Sequence, residues 1–153
     1  MTEKNIINDG KKVVDIEIQG IRKLHKSIDN NFKKAVKKLS KIKGRAIITG
    51  VGKSGHIAAK ISSTMSSTGT PSQSVSPTDL SHGDLGIITK NDLLILISNS
   101  GNSLELNKII DFAKKNSITI IGISQNPKGK LINSSTIPLL IKDSKEACSI
   151  GKA

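Results

Sequence analysis

The stretch ITGVGKSGHIAAK, from Ile48 to Lys60, sets glycines at 50, 52 and 55 around Lys53 and Ser54. Glycines in such a turn let backbone N–H groups come close to a phosphate. Three phosphate motifs compete for this stretch. A Walker loop ends in Gly-Lys-Ser, as Gly52, Lys53 and Ser54 do, but it needs a further glycine at position 47. That residue is Ile47, inside an apolar run, and a β-branched side chain does not take up the positive φ that such loops ask of glycine. An ATPase loop is therefore excluded. The dinucleotide fingerprint is complete at Gly50, Gly52 and Gly55, yet it requires an acidic residue about 20 positions further on. TGTPSQSVSP holds none, and Asp79 comes too late. What remains is one phosphate, held by short serine-rich turns.

A second cluster, SNSGNS, brings Ser98, Ser100 and Ser103 together with Asn99 and Asn102. Hydroxyls, amides and free N–H groups at a helix start suit a phosphate monoester. The same residues also suit plain helix capping by Asn102 and Ser103, and both readings stay open on this motif alone. Lys53 conflicts with a local rule. A cation in the first turn of a helix costs up to about 1 kcal/mol against the helix dipole, and such conflicts are where function is expected.

The elements that must position these groups follow from periodicity. Val14, Ile18, Ile21, Leu24 and Ile28 recur at helical spacing, which predicts a first amphipathic helix. Asp29, Asn30 and Asn31 offer caps for a second, which carries Phe32, Ala35, Val36, Leu39 and Ile42 and ends near Gly44. RAIITG, DLLILIS, ITIIGIS and TIPLLIK are short, almost wholly apolar runs, and PSQSV is a weaker one. Continuous apolar strands alternating with helices predict an α/β fold of three layers, a five-stranded parallel sheet with flavodoxin-like strand order. The expected division is residues 1–44 as leading helices packed on the domain and residues 45–153 as the α/β core. In such sheets ligands bind beyond the carboxyl ends of the strands, where GVGKSG, SNSGNS and SQNPKG lie.

Bulk properties narrow the class. A chain of 153 residues holds one domain. Net charge is +12, and residues 1–45 carry 13 Lys/Arg against 5 Asp/Glu. The lysines of FKKAVKKLSKIKGR alternate with apolar residues as the solvated face of a helix, and no aromatic residues are interleaved to stack bases. A nucleic-acid partner is not expected. No apolar run reaches the roughly 18 residues of a membrane span, and MTEKNIINDGKK lacks the apolar centre of a signal peptide. With the single Cys148 unable to form an internal disulfide, a cytoplasmic protein with no membrane partner is expected.

Taken in order, GVGKSGHIAAK, STGTPS, SHGDLG, ISNSGNSLE and KEACSIG make the sequence resemble the sugar isomerase (SIS) domain of the arabinose 5-phosphate isomerase family, from about Val14 to Gly151. The resemblance implies interconversion of ribulose 5-phosphate and arabinose 5-phosphate on the route to the Kdo sugar of lipopolysaccharide. It implies a phosphorylated pentose as ligand, no cofactor, and self-association with sites completed between subunits. It assigns catalytic roles to Lys53, Glu105 and Glu146. Substrate binding falls to Ser54, Gly69, Thr70, His82, Ser98, Ser100 and Ser103. The chemistry agrees: moving a carbonyl through an enediol needs a carboxylate base, and a nearby lysine can stabilise the oxyanion. Plainer roles stand beside these, since Glu105 is spaced to complete a capping box with Asn102 and Glu146 fits a loop carboxylate.

Two departures matter. Where the family has a zinc-ligating histidine before the proline of SVSP, this chain has Ser76, and with His25 placed on the first helix, His82 by itself is too few ligands for a metal site. Family members also continue past KEAC into a closing helix, a His-Pro-Gly-Gly segment and CBS domains, whereas this sequence stops at SIGKA. That predicts impaired turnover and one uncovered face of the sheet. A non-catalytic sugar-phosphate sensor and a degenerate fragment of an enzyme are the alternatives.

Overall fold

The structure is a computed structural model and describes residues 3–81 and 83–148. The chain forms two compact units, one of residues 30–140 and one joining the residues up to Asp29 with those from Ile141 onward. The larger unit is built on five strands: β1 (Ala46–Gly50), β2 (Ser72–Ser74), β3 (Leu93–Ile97), β4 (Thr119–Ser124) and β5 (Ile137–Leu140). They form one sheet in the order β2-β1-β3-β4-β5, with every pairing parallel. This is the predicted sheet, with its predicted order. Parallel strands covered on both faces favour apolar residues toward each side, which explains the almost wholly apolar runs.

Alternate residues of these strands feed two cores. Ile47, Leu94, Leu96 and Ile120 pack with Leu80, Leu106, Ile109, Ile110, Ala113 and Leu131, so this face is covered by α4 (Pro77–Ser81), α5 (Glu105–Lys115) and α6 (Lys130–Ser134). Ala46, Ile48, Leu93, Ile95, Ile121 and Ile137 pack with Ala35 and Ala58, from α2 (Asn30–Leu39) and α3 (Lys53–Ser67). Helices therefore flank both faces, while Ile97, Ile123 and Leu139 stay half-buried and Leu140 exposed toward the carboxyl ends of the strands. The edge strand β2 carries no large apolar residue. Hydroxyls hold it instead: Ser72 Oγ donates to the Ser62 carbonyl at 2.7 Å and Ser66 Oγ to the Ser72 carbonyl at 3.1 Å.

Helices depart from the sequence reading at their ends. α1 (Glu3–His25) starts well before the first apolar repeat at Val14; Asn5, Asn8, Asp9 and Gly10 are poor helix formers, but a helix nucleated further on propagates through them at far smaller cost than a new nucleus. α2 ends at Leu39 rather than near Gly44. Its apolar stripe divides, with Ala35 buried while Phe32 and Val36 stay 44% and 48% exposed. In the smaller unit, Lys23 Nζ donates to the Asp143 carbonyl at 2.8 Å and Gly20 faces Ser144.

At the amino ends of the strands, Asp92 ties β1 to β3. Its Oδ1 accepts the Arg45 N–H at 2.6 Å, and its Oδ2 accepts the Thr89 N–H at 2.7 Å and the Thr89 hydroxyl at 2.9 Å. Arg45 reaches on to Gln73 Oε1 at 2.7 Å and the Ile87 carbonyl at 3.0 Å. Gly44 leaves no room for a Cβ against this carboxylate and the Asn91 carbonyl. Burial alone would raise the Asp92 pKa, but the two N–H donors, the hydroxyl and the guanidinium together hold it below the ordinary 3.8. A carboxyl with a depressed folded pKa adds stability at pH values above its unfolded pKa, and that stability is lost as pH falls through the folded value. Asp92→Ala should therefore cost about 1.5–3 kcal/mol at neutral pH. Urea unfolding between pH 7 and pH 2 checks this, and the variant should lose less stability on acidification than the wild type.

Candidate functional site

The carboxyl ends of β1, β3 and β4 lie side by side, and each runs into one of the loops singled out by sequence. After β1 only Val51 and Gly52 intervene before α3 begins at Lys53. Gly52 has φ of +58° and nothing within 4 Å of where a Cβ would sit, so it serves the turn. Gly50 and Gly55 serve packing: a Cβ on Gly50 would meet the Ile97 carbonyl at 2.9 Å, and one on Gly55 the Gly50 carbonyl at 2.7 Å. A two-residue turn cannot wrap a nucleotide triphosphate, which agrees with the rejection of a Walker loop. Lys53 is exposed at the first position of α3, and Ser54 is half-buried behind it.

The loop after β3 is more tightly built. Ser98 is 4% exposed, and its hydroxyl lies 2.8 Å from that of Ser103 and accepts the Gly101 N–H at 3.2 Å. Ser100 is exposed and its hydroxyl accepts the Asn102 N–H at 3.3 Å. Gly101 turns the chain with φ of +69°. A Cβ there would meet Ser124 Oγ at 2.9 Å and Gly129 Cα at 3.2 Å. The loop after β4 straps this one in place. Ser124 Oγ donates to the Asn99 carbonyl at 3.0 Å, Asn126 Nδ2 to the Ser100 carbonyl at 2.9 Å, and the Leu131 N–H to the Gly101 carbonyl at 2.9 Å.

These bonds bear on the capping reading of Asn102. Its Oδ1 accepts the Lys130 N–H at 3.0 Å, so it joins the start of α6 rather than capping α5. No side chain caps α5, whose flanking residue is Leu104, and none caps α3, among the described residues. The capping-box reading of Glu105 therefore fails. Both helix starts at the crevice lack a side-chain cap, and that of α3, with no acidic residue in its first turn, keeps its dipole unmatched, the condition in which a helix N-terminus attracts an anion. Glu105 occupies the first turn of α5, and its carbonyl accepts the Ser81 hydroxyl at 3.2 Å, tying α4 to the site.

Other expected positions fall elsewhere. Gly69, with φ of +91°, and Thr70 lie between the end of α3 and the start of β2, at the amino ends of the strands. Within one chain they are not gathered with Lys53 and the serine loop, because α3 carries the chain back along the full height of the sheet. Glu146 belongs to the smaller unit and is exposed. His82 lies outside the described residues. Among those residues no group of three or more His, Cys, Asp or Glu is placed to hold a metal ion.

Sequence reasoning overlooked His56. It follows Lys53 by three residues on α3, and with Gly50, Gly52, Ser76 and Thr78 it lines a shallow cavity of about 370 Å³ at the carboxyl ends of β1 and β2. Helical spacing from Lys53 was the available signal. α4, which supplies Pro77 and Thr78 to this cavity, was likewise not foreseen, since five residues are too few to show a period.

The SIS domain family matches residues 38–152 of this chain. Arabinose 5-phosphate isomerase KdsD of Francisella tularensis is 45% identical over 150 residues, and its Yersinia pestis counterpart 41% over 144. These alignments take in 96% and 94% of this chain but 46% and 44% of the relatives, so the chain spans about half the length of the curated relatives it matches. Among solved structures, the E. coli CFT073 protein c3406 in complex with arabinose 5-phosphate superposes with a TM-score of 0.93 at 34% identity, over all of this chain and 81% of that one. With the parallel sheet, the strand order and the serine loop all in place, the chain belongs to the SIS domain family.

Proposed function

We propose that this chain binds a phosphorylated pentose at the carboxyl ends of β1 and β3 and belongs to an enzyme that interconverts arabinose 5-phosphate and ribulose 5-phosphate, in the cytoplasm, toward the Kdo sugar of lipopolysaccharide. One observation carries the reading. The loop of Ser98, Ser100 and Ser103 is laced rigidly in front of an uncapped helix start, beside the turn that presents Lys53. A phosphate monoester fits the hydroxyls and N–H groups of that loop, with Ser54 at the neighbouring helix. Similarity to relatives named arabinose 5-phosphate isomerase, and to a structure in complex with arabinose 5-phosphate, supports the sugar.

The chemistry assigned to these residues balances. A carboxylate takes the proton from C2 of the open-chain aldose, the C2–H electrons form the C1–C2 double bond of an enediolate, and the C1 oxygen gains a proton. Return of a proton to C1, with loss of the O2 proton, leaves the ketose. Lys53 stabilises the oxyanion. Glu105 and Glu146 are the two candidate bases, Glu105 from its place in the first turn of α5 and Glu146 from the family resemblance. Gly69, Thr70 and His82 complete substrate binding in this reading, with Gly69 and Thr70 supplied from a second copy of the chain. Exposed apolar residues beside the site, Leu104 at 78% and Ile57 at 55%, support such self-association.

Calorimetry should show arabinose 5-phosphate binding while arabinose does not. Ser103→Ala should weaken binding by about tenfold, the loss of one hydrogen bond to a charged group. Equal and negligible binding of both sugars would sink the proposal. Isomerisation in D2O, followed by NMR for deuterium entering at C1 and C2, should fall by about 10² to 10³ in Lys53→Met and by about 10² to 10⁴ in Glu105→Gln. Specific binding without turnover or exchange would leave a sugar-phosphate sensor. Gly101→Ala should destabilise the fold by at least about 1–2 kcal/mol through its left-handed backbone, with crowding of the new Cβ against Ser124 and Gly129 adding to this and a matching drop in melting temperature.

A further inference from the structure

At the amino ends of β3 and β4, the end of the sheet away from the proposed sugar site, lies a second cavity of about 290 Å³. Lys38, Lys41, Lys43 and Lys90 line it together with Ser117 and Thr119. The lysines come from three segments: the last turn of α2, the connection from α2 to β1, and the turn before β3. The one carboxylate in the lining, Asp92, is fully engaged with Arg45 and Thr89. Among the described residues none of the four ammonium groups is paired with a carboxylate.

Lysines near a helix carboxyl end commonly serve its unpaired carbonyls, and that explanation fails here. In α2 the Val36, Lys38 and Leu39 carbonyls accept the N–H groups of Ser40, Lys41 and Ile42, and the Lys37 carbonyl accepts the Ser40 hydroxyl. In α5 the Phe112, Ala113 and Lys114 carbonyls accept N–H groups of Asn116, Ile118 and Ser117. These carbonyls are met without the lysines. Ser117 adds a second local conflict. It has φ of +56° where the helix stop calls for glycine, and the side chain it retains is a hydroxyl facing a lysine-lined cavity.

We propose that this cavity binds a compact polyphosphate anion, at a site separate from the one at the carboxyl ends of the strands. Four point charges suit phosphate oxygens better than a single carboxylate, which favours the planar fork of arginine. Ser117 and Thr119 supply neutral donors. The ligand would relieve the repulsion among four like charges brought to one place.

The test is an amide NMR titration of the full chain with pyrophosphate at 150 mM salt. Saturable shifts should appear at residues 41–43, 90–92 and 117–119. The double variant Lys43→Gln/Lys90→Gln should bind about tenfold more weakly or worse, whereas Lys60→Gln/Lys108→Gln, which changes lysines outside the cavity, should bind as the wild type does. Exposed lysine substitutions leave the fold intact. Shifts confined to residues 50–54 and 98–105, or equal losses in both double variants, would overturn the proposal. Sedimentation with phosphatidylglycerol vesicles forms a second arm. If pyrophosphate does not compete with vesicle binding that requires Lys43 and Lys90, the lysines serve a membrane surface and the small-anion site is wrong.

Discussion

The parallel pairing of β1 with β3, Ala46 beside Leu93 through to Gly50 beside Ile97, is the constraint on which the rest of the molecule depends. From β1 the chain leaves toward β2 on one side, while β3 takes the place on the other. Connections diverge at that point, and a crevice opens between two loops that would otherwise crowd each other. α3 then packs with the core formed by Ile48 and Ile95, and α5 with the core formed by Ile47 and Leu96. The two helix starts thus face one crevice from opposite layers. A register slip of one residue would exchange the cores and disperse the site.

Stability and the proposed function draw on opposite ends of this sheet. At the amino ends, the Asp92 carboxylate satisfies three donors and fastens β1, β3 and the preceding turn. At the carboxyl ends local rules are broken repeatedly. A lysine opens α3, two helix starts lack side-chain caps, and a buried serine sits in a loop. Thr49, fully buried just before Gly50, has a hydroxyl with no hydrogen-bond partner among the described residues, and nothing in the structure explains it. An unmet buried hydroxyl costs about 1–3 kcal/mol, so the apolar cores must offset such terms.

Glycines divide the labour. Gly50 and Gly55 allow backbones to approach so closely that a side chain would collide, and Gly101 and Gly129 pack tightly against each other, whereas Gly52 supplies only a positive φ in open space. A fingerprint that reads as one motif in sequence therefore contains two physical functions. The Gly101–Gly129 contact is what lets the β4 loop strap the serine loop, and sequence places those residues 28 positions apart.

By itself the sequence determined the strands, the helices that follow β1, β3 and β4 and the end of the sheet where a site is proposed, because burial on both faces forces apolar runs and parallel order forces helical crossovers. Lys53 was legible as a conflict with the helix dipole, and Ser98 to Ser103 as a cluster of candidate phosphate donors. Tertiary structure alone decided which polar groups were already spent. Asn102 looked like a cap and bonds α6 instead, and Ser124 and Asn126 carried no signal yet hold the serine loop. Gly69 and Thr70, close to Ser54 in sequence, lie at the other end of the sheet because a helix of fifteen residues spans its whole height. Hydrogen bonds between loops from different strands depend on register and crossing geometry, which no local pattern of residues encodes.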